Sequence, residues 1–334
     1  MDWKDEFIEM FMAGDLKNFS ATLELKREHI PKRLYRYRSV MNCPNIIEEI
    51  CEGEIYLAHP DDMNDPFDAC SLMRSRQPAH YFLNQETFRS SLQQHFDDKI
   101  LGQIFQSPNW YDELMHLVAS ESAPNDKAEQ EKIVQALVYV TMKALAEVNR
   151  SFNKMVHMSS RFACFTTKPD NLPMWNHYAQ SCSGVCLEYD PQDITNVYTI
   201  NRLFPVLYVD KLPDVVERTL EKQKEEFGLM DYFLIHKLKD WSYENEWRLI
   251  YNVGSWYFAP EDVPESFWKQ GKKIQFVRPK RVLLGPKIEE QHEKLIRDAS
   301  GYYEIPVVKM LCTEYGLQEI SETQGGKANL LPQR

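Results

Sequence analysis

The stretch Trp241-Ser-Tyr-Glu-Asn-Glu-Trp-Arg-Leu-Ile250 decides how this chain is read, because it places two carboxylates at alternate positions of a predicted β-strand. Strand side chains repeat with a period of two, so Glu244, Glu246 and Arg248 are expected on one face and Trp247 and Leu249 on the other. Two carboxylates about 7 Å apart on a rigid strand oppose one another unless a cation sits close by. Enzymes use such pairs to divide acid, base and electrostatic roles. The alternative is a solvated charged face on which Arg248 screens its acidic neighbours.

Working outward, Lys272-Lys-Ile-Gln-Phe-Val277 and Arg281-Val-Leu-Leu-Gly285 read as further strands, followed by a helix over 288–299 and a last strand at Val307-Val-Lys-Met-Leu311. Upstream, residues 214–240 read as helical and heavily charged, and Phe204-Pro-Val-Leu-Tyr-Val-Asp210 as strand-like. Ser183-Gly-Val-Cys-Leu-Glu-Tyr189 and Arg161-Phe-Ala-Cys-Phe-Thr-Thr167 are predicted strands around a short helix at Met174-Trp-Asn-His-Tyr-Ala179. Near the start, Arg33-Leu-Tyr-Arg-Tyr-Arg38 alternates like a strand. Asn45-Ile-Ile-Glu-Glu-Ile-Cys51 follows as a helix stopped by Gly53, and Glu54-Ile-Tyr-Leu-Ala-His59 as a second strand. Pro60-Asp-Asp-Met-Asn-Asp-Pro-Phe-Asp68 is a turn-rich loop.

Two stretches break this β pattern. Residues 1–32 are helical by the spacing of Phe7, Ile8, Phe11, Met12 and Leu16. Between about 75 and 158, Phe88, Leu92, Phe96 and Ile100, then Ile133, Leu137, Val140, Ala144, Leu145 and Val148, recur at helical spacing. The expectation is an α+β protein: one domain over 33–320, a helical insertion at about 75–158, and a polar, mobile tail over 321–334.

Composition bounds the function. A net charge of −11 repels polyanions, although a local basic groove stays open. The 17 Tyr, 17 Phe and 7 Trp serve cores and ligand-stacking surfaces alike. Seven Cys at irregular spacings argue for a reducing compartment. The acidic start and the absence of a long apolar run predict a cytoplasmic protein with no membrane span. Glycine loops for phosphates or dinucleotides are missing, as is a nucleophile elbow. Cys164, His177, Cys182 and Cys186 are too loosely spaced for a structural zinc site. Asp61, Asp62, Asp65 and Asp68 are either magnesium ligands of a nuclease or ordinary turn formers. Trp175, His177 and Tyr178 are either a stacking and proton-relay group or core aromatics.

Leu34-Tyr-Arg-Tyr-Arg38, Asn64-Asp-Pro-Phe-Asp68, Cys164-Phe-Thr-Thr167, Met174-Trp-Asn-His-Tyr-Ala179, Gly184-Val-Cys-Leu-Glu-Tyr189 and Tyr243-Glu-Asn-Glu-Trp-Arg248 resemble the ordered blocks of the bacterial family called domain of unknown function 2971, over roughly 33–286. More weakly, Arg36, Phe165-Thr166-Thr167 and Glu244-Asn245-Glu246 resemble the arginine, serine, glutamate pattern of ADP-ribosyltransferases, with Thr in place of the usual Ser. That second resemblance implies a split, mostly antiparallel sheet and an enzyme that consumes NAD, by transfer to a protein or nucleic-acid acceptor or by hydrolysis, in a bacterial toxin or phage-defence setting.

It also implies roles for individual residues. Glu246 would stabilise the positive charge that develops on the ribose, Glu244 would take the acceptor's proton, and Thr166 would brace the carboxylate or the ribose. Arg36 would hold the pyrophosphate, Tyr37 and Thr167 would line the NAD site, and Trp175 or Tyr178 would stack on nicotinamide. No metal is expected. A metal-dependent nuclease and a non-catalytic nucleotide-binding module are the alternatives.

Overall fold

A computed structural model describes residues 2–13, 16–72, 86–214, 228–252 and 273–319. Its strands are β1 (Leu34–Arg38), β2 (Glu54–Tyr56), β3 (Ser160–Thr166), β4 (Val185–Tyr189), β5 (Leu203–Pro205), β6 (Leu207–Val209), β7 (His236–Leu238), β8 (Glu246–Asn252), β9 (Lys273–Gln275), β10 (Arg281–Leu284), β11 (Val307–Thr313) and β12 (Gly316–Glu319). Its helices are α1 (Trp3–Met12), α2 (Leu16–Glu28), α3 (Cys43–Cys51), α4 (Glu86–Gln93), α5 (Asp98–Gln106), α6 (Trp110–Ser122), α7 (Lys127–Met158), α8 (Leu172–Tyr178), α9 (Val197–Asn201), α10 (Leu229–Leu234) and α11 (Glu290–Tyr302). The fold mixes helix with an open, mostly antiparallel sheet.

The chain forms two units. The first, residues 1–69, 157–211 and 227–334, holds an eight-stranded sheet in the order β12-β11-β10-β4-β1-β3-β8-β5. Only β10 and β11 run parallel within it. Leu34, Phe165, Leu187, Trp247, Leu249 and Val282 cover one face, against Ile46 and Ile50 of α3 and Ile296 of α11. Tyr35, Tyr37, Cys186, Leu283 and Met310 cover the other, against Met174 and Trp175 of α8. The N-terminal helices belong to this unit: Trp3 stacks on Trp247, and Phe7 and Phe11 pack on Phe204 of β5.

The sheet has a fork. Residues of β1 and β4 pair along the whole of β1, and β3 and β8 pair over seven positions, but β1 and β3 share the single pair Tyr35 with Thr166. Beyond it the two strands part. Gly184, at the start of β4, has no room for a side chain: a Cβ there would lie 2.2 Å from the Arg38 carbonyl and 2.9 Å from the Cα of Ala179.

The second unit, residues 70–156 and 212–226, is built on α4 to α7. Leu101, Ile104, Trp110 and Leu114 form its own small core. An isolated bridge between Leu72 and Asp214 ties the segment near 212 to its beginning, so this unit takes in chain that the helical pattern alone places elsewhere.

Several elements differ from the sequence expectation. The stretch 241–250 is not one strand: residues Lys239–Glu244 form a 3-10 helix, Asn245 adopts a left-handed conformation with φ 47°, and β8 starts at Glu246. Residues 204–210 divide into β5 and β6, which lie in different sheets, with β6 parallel to β7. Within 214–240, the described residues give the short α10 and then β7, while 215–227 lie outside the described residues. The polar tail over 321–334 also lies outside them, as does the start of the expected insertion. No helix among the described residues is long and apolar enough to cross a membrane, and none of the seven cysteines forms a disulfide.

Candidate functional site

A cavity of about 580 Å³ opens at the fork, within the range of small-ligand sites (roughly 300–1,000 Å³). Its walls include Arg36 and Arg38 of β1, Cys164 and Thr166 of β3, Glu244 at the end of the 3-10 helix and Glu246 at the start of β8. Asp68, Tyr178 and Lys237 complete the acidic side.

Strand register explains how these groups meet. Thr166 lies opposite Glu246, and Tyr35 opposite Thr166, so these three share a face, while Phe165, Trp247 and Arg36 fall on the other. Arg36 and Glu246 therefore start from opposite faces of the sheet. They reach one cavity because β1 and β3 separate between them.

The carboxylates are not a solvated face: Glu244, Glu246 and Arg248 are 2%, 3% and 0% exposed. Buried charges need partners, and here they have them. The Arg248 guanidinium donates to Glu246 through Nε at 2.7 Å and Nη2 at 3.0 Å, and to Asp68 Oδ2 through Nη2 at 2.8 Å. Its Nη1 donates to the Leu234 carbonyl at 2.6 Å and lies 2.7 Å from Asp68 Oδ1. The Lys237 ammonium donates to Glu244 Oε2 at 2.7 Å, and stands 3.5 Å from Glu246 Oε2 and 3.4 Å from Asp68 Oδ2. The Tyr178 hydroxyl donates to Glu244 Oε1 at 2.6 Å.

These contacts set two different carboxyls. Burial raises Glu244 above its ordinary value, and Glu246 beside it raises it further, against the opposing pull of Lys237. Burial also disfavours ionised Glu246, but Arg248 and then Lys237 outweigh it and bring this carboxyl down to about 2. The two carboxyls are thus pushed apart, Glu246 toward its ion and Glu244 toward its neutral form. Burial, with Glu246 alongside, pushes the Cys164 thiol well above its ordinary range, which removes it as a thiolate nucleophile.

The remaining site candidates are placed as follows. The Thr166 hydroxyl donates to the Glu244 main-chain carbonyl, so it positions the Glu244 backbone instead of bracing a carboxylate or a ribose directly. Tyr37 lines the cavity, but its hydroxyl donates to the Lys168 carbonyl at 2.8 Å and its ring meets Trp175 edge-on. Trp175 is fully buried, and its indole N–H donates to the Pro169 carbonyl at 2.8 Å, so stacking on nicotinamide is not open to it. Thr167 is not among the cavity residues either. Tyr178 and the exposed His177 do line the cavity.

Arg36 is not a free fork of donors. It donates to the Tyr56 carbonyl at 2.8 Å and lies 3.5 Å from Glu49, which also faces Arg38 at 3.1 Å and accepts from the Tyr189 hydroxyl at 2.8 Å. Glu49 of α3 thus anchors a pair of arginines at the basic wall.

Of the loop carboxylates, Asp61 contacts His157, Asp62 caps a turn, Asp65 accepts from the Phe67 N–H, and Asp68 belongs to the arginine and lysine network. They are dispersed, and among the described residues no group of His, Cys, Asp and Glu converges as metal ligands. Cys186 is buried in β4 and His177 is exposed, and among the described residues the four loose zinc candidates do not form a ligand group.

Sequence reasoning missed Lys237 and left Asp68 as either a magnesium ligand or a turn former. Lys237 sits in a charge-rich run, His236-Lys-Leu-Lys-Asp240, and nothing in its neighbours marks it as the buried member. Asp68 carried one signal, its place at the end of the block Asn64-Asp-Pro-Phe-Asp68.

Residues 174–249, from α8 to the middle of β8, match the model of the family described as protein of unknown function (DUF2971). No curated protein and no solved structure matches the chain. That segment, less than a quarter of the chain, supplies Tyr178, Lys237, Glu244 and Glu246 to the cavity, and over it the chain is similar to this family of unknown function.

Proposed function

We propose that this protein consumes NAD, breaking the bond between nicotinamide and ribose and passing ADP-ribose to an acceptor or to water. One observation carries the reading: an arginine pair from the first strand, Thr166 of a central strand and the two carboxylates Glu244 and Glu246 line a single cavity. The resemblance to the arginine, serine, glutamate pattern of ADP-ribosyltransferases supports it, as does the mostly antiparallel forked sheet.

Cleavage builds positive charge on the ribose carbon, as in glycoside hydrolysis. Among the described residues, Asp68, Glu244 and Glu246 set three negative charges against the two positive charges of Lys237 and Arg248, which leaves one negative charge in excess beside the cavity. A fixed negative group of this kind favours the developing cation over the neutral ground state. Glu246, ionised at all working pH, is the electrostatic residue in this scheme. Glu244, with its raised carboxyl, takes the proton of the attacking hydroxyl, amine or water, and the Tyr178 hydroxyl orients it. The basic wall of Arg36 and Arg38 receives the pyrophosphate, with release of part of their contact to Glu49. A bacterial toxin or phage-defence role is the setting this chemistry fits.

The test is direct. Purified protein is incubated with NAD and nicotinamide is quantified by chromatography. Release by the wild type that falls at least a hundredfold in Glu246→Gln supports the reading, and a wild type that leaves NAD intact with or without cell extract overturns it.

A further inference from the structure

The acidic half of the cavity holds a buried cation, Lys237. Lys237 lies on the short strand β7, next to the 3-10 helix that carries Glu244, and its side chain is 3% exposed. Three carboxylates from three parts of the first unit converge on its Nζ: Glu244 at 2.7 Å, Asp68 at 3.4 Å and Glu246 at 3.5 Å. The Trp241 ring lies 4.8 Å away and shields the ammonium on one side. Lysine is the less specific partner for carboxylates, since its charge is a point and not a planar fork. A point charge is what this position needs, because it must serve three anions at once.

Arg248 is differently employed. It grips Glu246 and Asp68 through paired donors and makes no contact with Glu244. Lys237 alone among the described cations touches both carboxylates of the pair. We infer that Lys237 is a positioning residue that decides how Glu244 and Glu246 divide one proton: beside a Glu246 held by Arg248, it sets where Glu244 titrates.

The physical reason is the closeness of like charges. Two carboxylates sharing a dry site cannot both ionise without a cation between them, and they then titrate as a pair that holds one proton in common. With Lys237 in place, the member that exchanges the shared proton is Glu244, whose other oxygen faces the Tyr178 hydroxyl and whose backbone is held by Thr166. Without it, Arg248 still holds both Glu246 and Asp68, but Glu244 loses its only charged partner in the network among the described residues. The other titrating groups around the cluster are the Tyr178, Tyr208 and Tyr243 hydroxyls and the Cys164 thiol, all raised chiefly by burial and neutral at working pH.

The statement about nicotinamide release rests on the NAD reading above; the statement about the proton does not. Two readouts therefore run in parallel on the full chain: carboxyl-carbon NMR titration of protein labelled at glutamate Cδ, and the pH profile of nicotinamide release. In Lys237→Met the acid limb of activity and the Glu244 titration are expected to move up by about one to three pH units, and Lys237→Arg, which restores the charge, is expected to bring both part of the way back. Because Lys237→Met leaves three buried carboxylates facing one arginine, Asp68→Asn serves as the second variant. It neutralises the cluster's excess charge, so the Glu244 titration is expected to move down.

A folded Lys237→Met whose Glu244 and Glu246 resonances titrate as in the wild type overturns the inference. So does an Asp68→Asn in which Glu244 does not move. If the resonances shift as stated while the wild type releases no nicotinamide at any pH, the NAD reading fails and the role of Lys237 stands.

Discussion

Replacing Glu246 by Gln removes one charge and little volume, which makes it the sharpest probe of the site. Two magnitudes follow from the structure. A carboxyl held at about 2 instead of its ordinary 4.5 is favoured as the ion by about 3 kcal/mol, at about 1.4 kcal/mol per pH unit. The substitution leaves Asp68 and Glu244 facing Lys237 and Arg248, a neutral cluster, so the loss of stability is expected to stay near that 3 kcal/mol and the protein to stay folded.

The sign of the pH dependence is fixed as well. A depressed carboxyl contributes stability above its unfolded value, near 4.5, and that contribution disappears as pH falls toward 2. Glu246→Gln should therefore be less stable than wild type at neutral pH, with the gap closing in acid. Activity should fall further than stability, because loss of one preorganised charge is worth about 3 to 4 kcal/mol in the transition state, or 10² to 10³ in rate. Thermal unfolding followed by circular dichroism measures the first quantity and chromatographic assay of nicotinamide the second. A folded Glu246→Gln that keeps near-full nicotinamide release refutes the role given to this residue. Unchanged acid unfolding refutes the pairing with Arg248 and Lys237.

Other consequences are open to measurement. Tyr178→Phe removes the hydroxyl that donates to Glu244 Oε1, so the Glu244 carboxyl should rise further and the acid limb of the activity profile should move to higher pH while unfolding temperature changes little. Lys26 of α2 is fully buried, its ammonium bonded to the Asn201 carbonyl and 4.1 Å from the Phe204 ring; burial lowers it to about 7. The unfolded chain then binds the extra proton between pH 7 and its ordinary 10.5, so stability should climb with pH across that window by up to about 1.4 kcal/mol per unit, a slope that Lys26→Met should abolish in chemical denaturation. Gly184→Ala drives a methyl against the Arg38 and Ala179 main chain and should cost at least 1–3 kcal/mol, about the range for over-packing. Retention of wild-type unfolding temperature by that variant would mean the β1 to β4 contact at the cavity rim is looser than described.

Much of the sheet was legible because its strands have a two-residue period or a plain apolar run. The segments at 34–38, 160–166, 185–189 and 281–284 fall where alternation and β-branched or aromatic residues place them. The acidic strand was legible only in part. Its alternation correctly put Glu246 and Arg248 opposite Trp247 and Leu249. The left-handed Asn245, which turns Glu244 into the same cavity from a 3-10 helix, has no periodic signature.

Burial of the charges was not legible at all. Nothing local distinguishes a paired interior carboxylate from a solvated one: Asp68 is 180 residues from Arg248, and Lys237, seven from Glu244, reads as one charge among several. Trp175 shows the converse limit: an aromatic beside His177 and Tyr178 looks like part of a ligand platform, and only the tertiary fold shows its indole spent on Pro169 and Tyr37. The short β12 escaped notice because Gly316-Leu-Gln-Glu319 has one apolar residue and takes its strand character from pairing with β11.

The most direct test of the central claim is to incubate the full chain with NAD labelled separately in its nicotinamide and adenylate halves, with and without cell extract, and follow both labels. The account predicts that nicotinamide is freed and that the adenylate label ends on a macromolecule or as free ADP-ribose, both lost in Glu246→Gln. NAD recovered whole in every arm would contradict it.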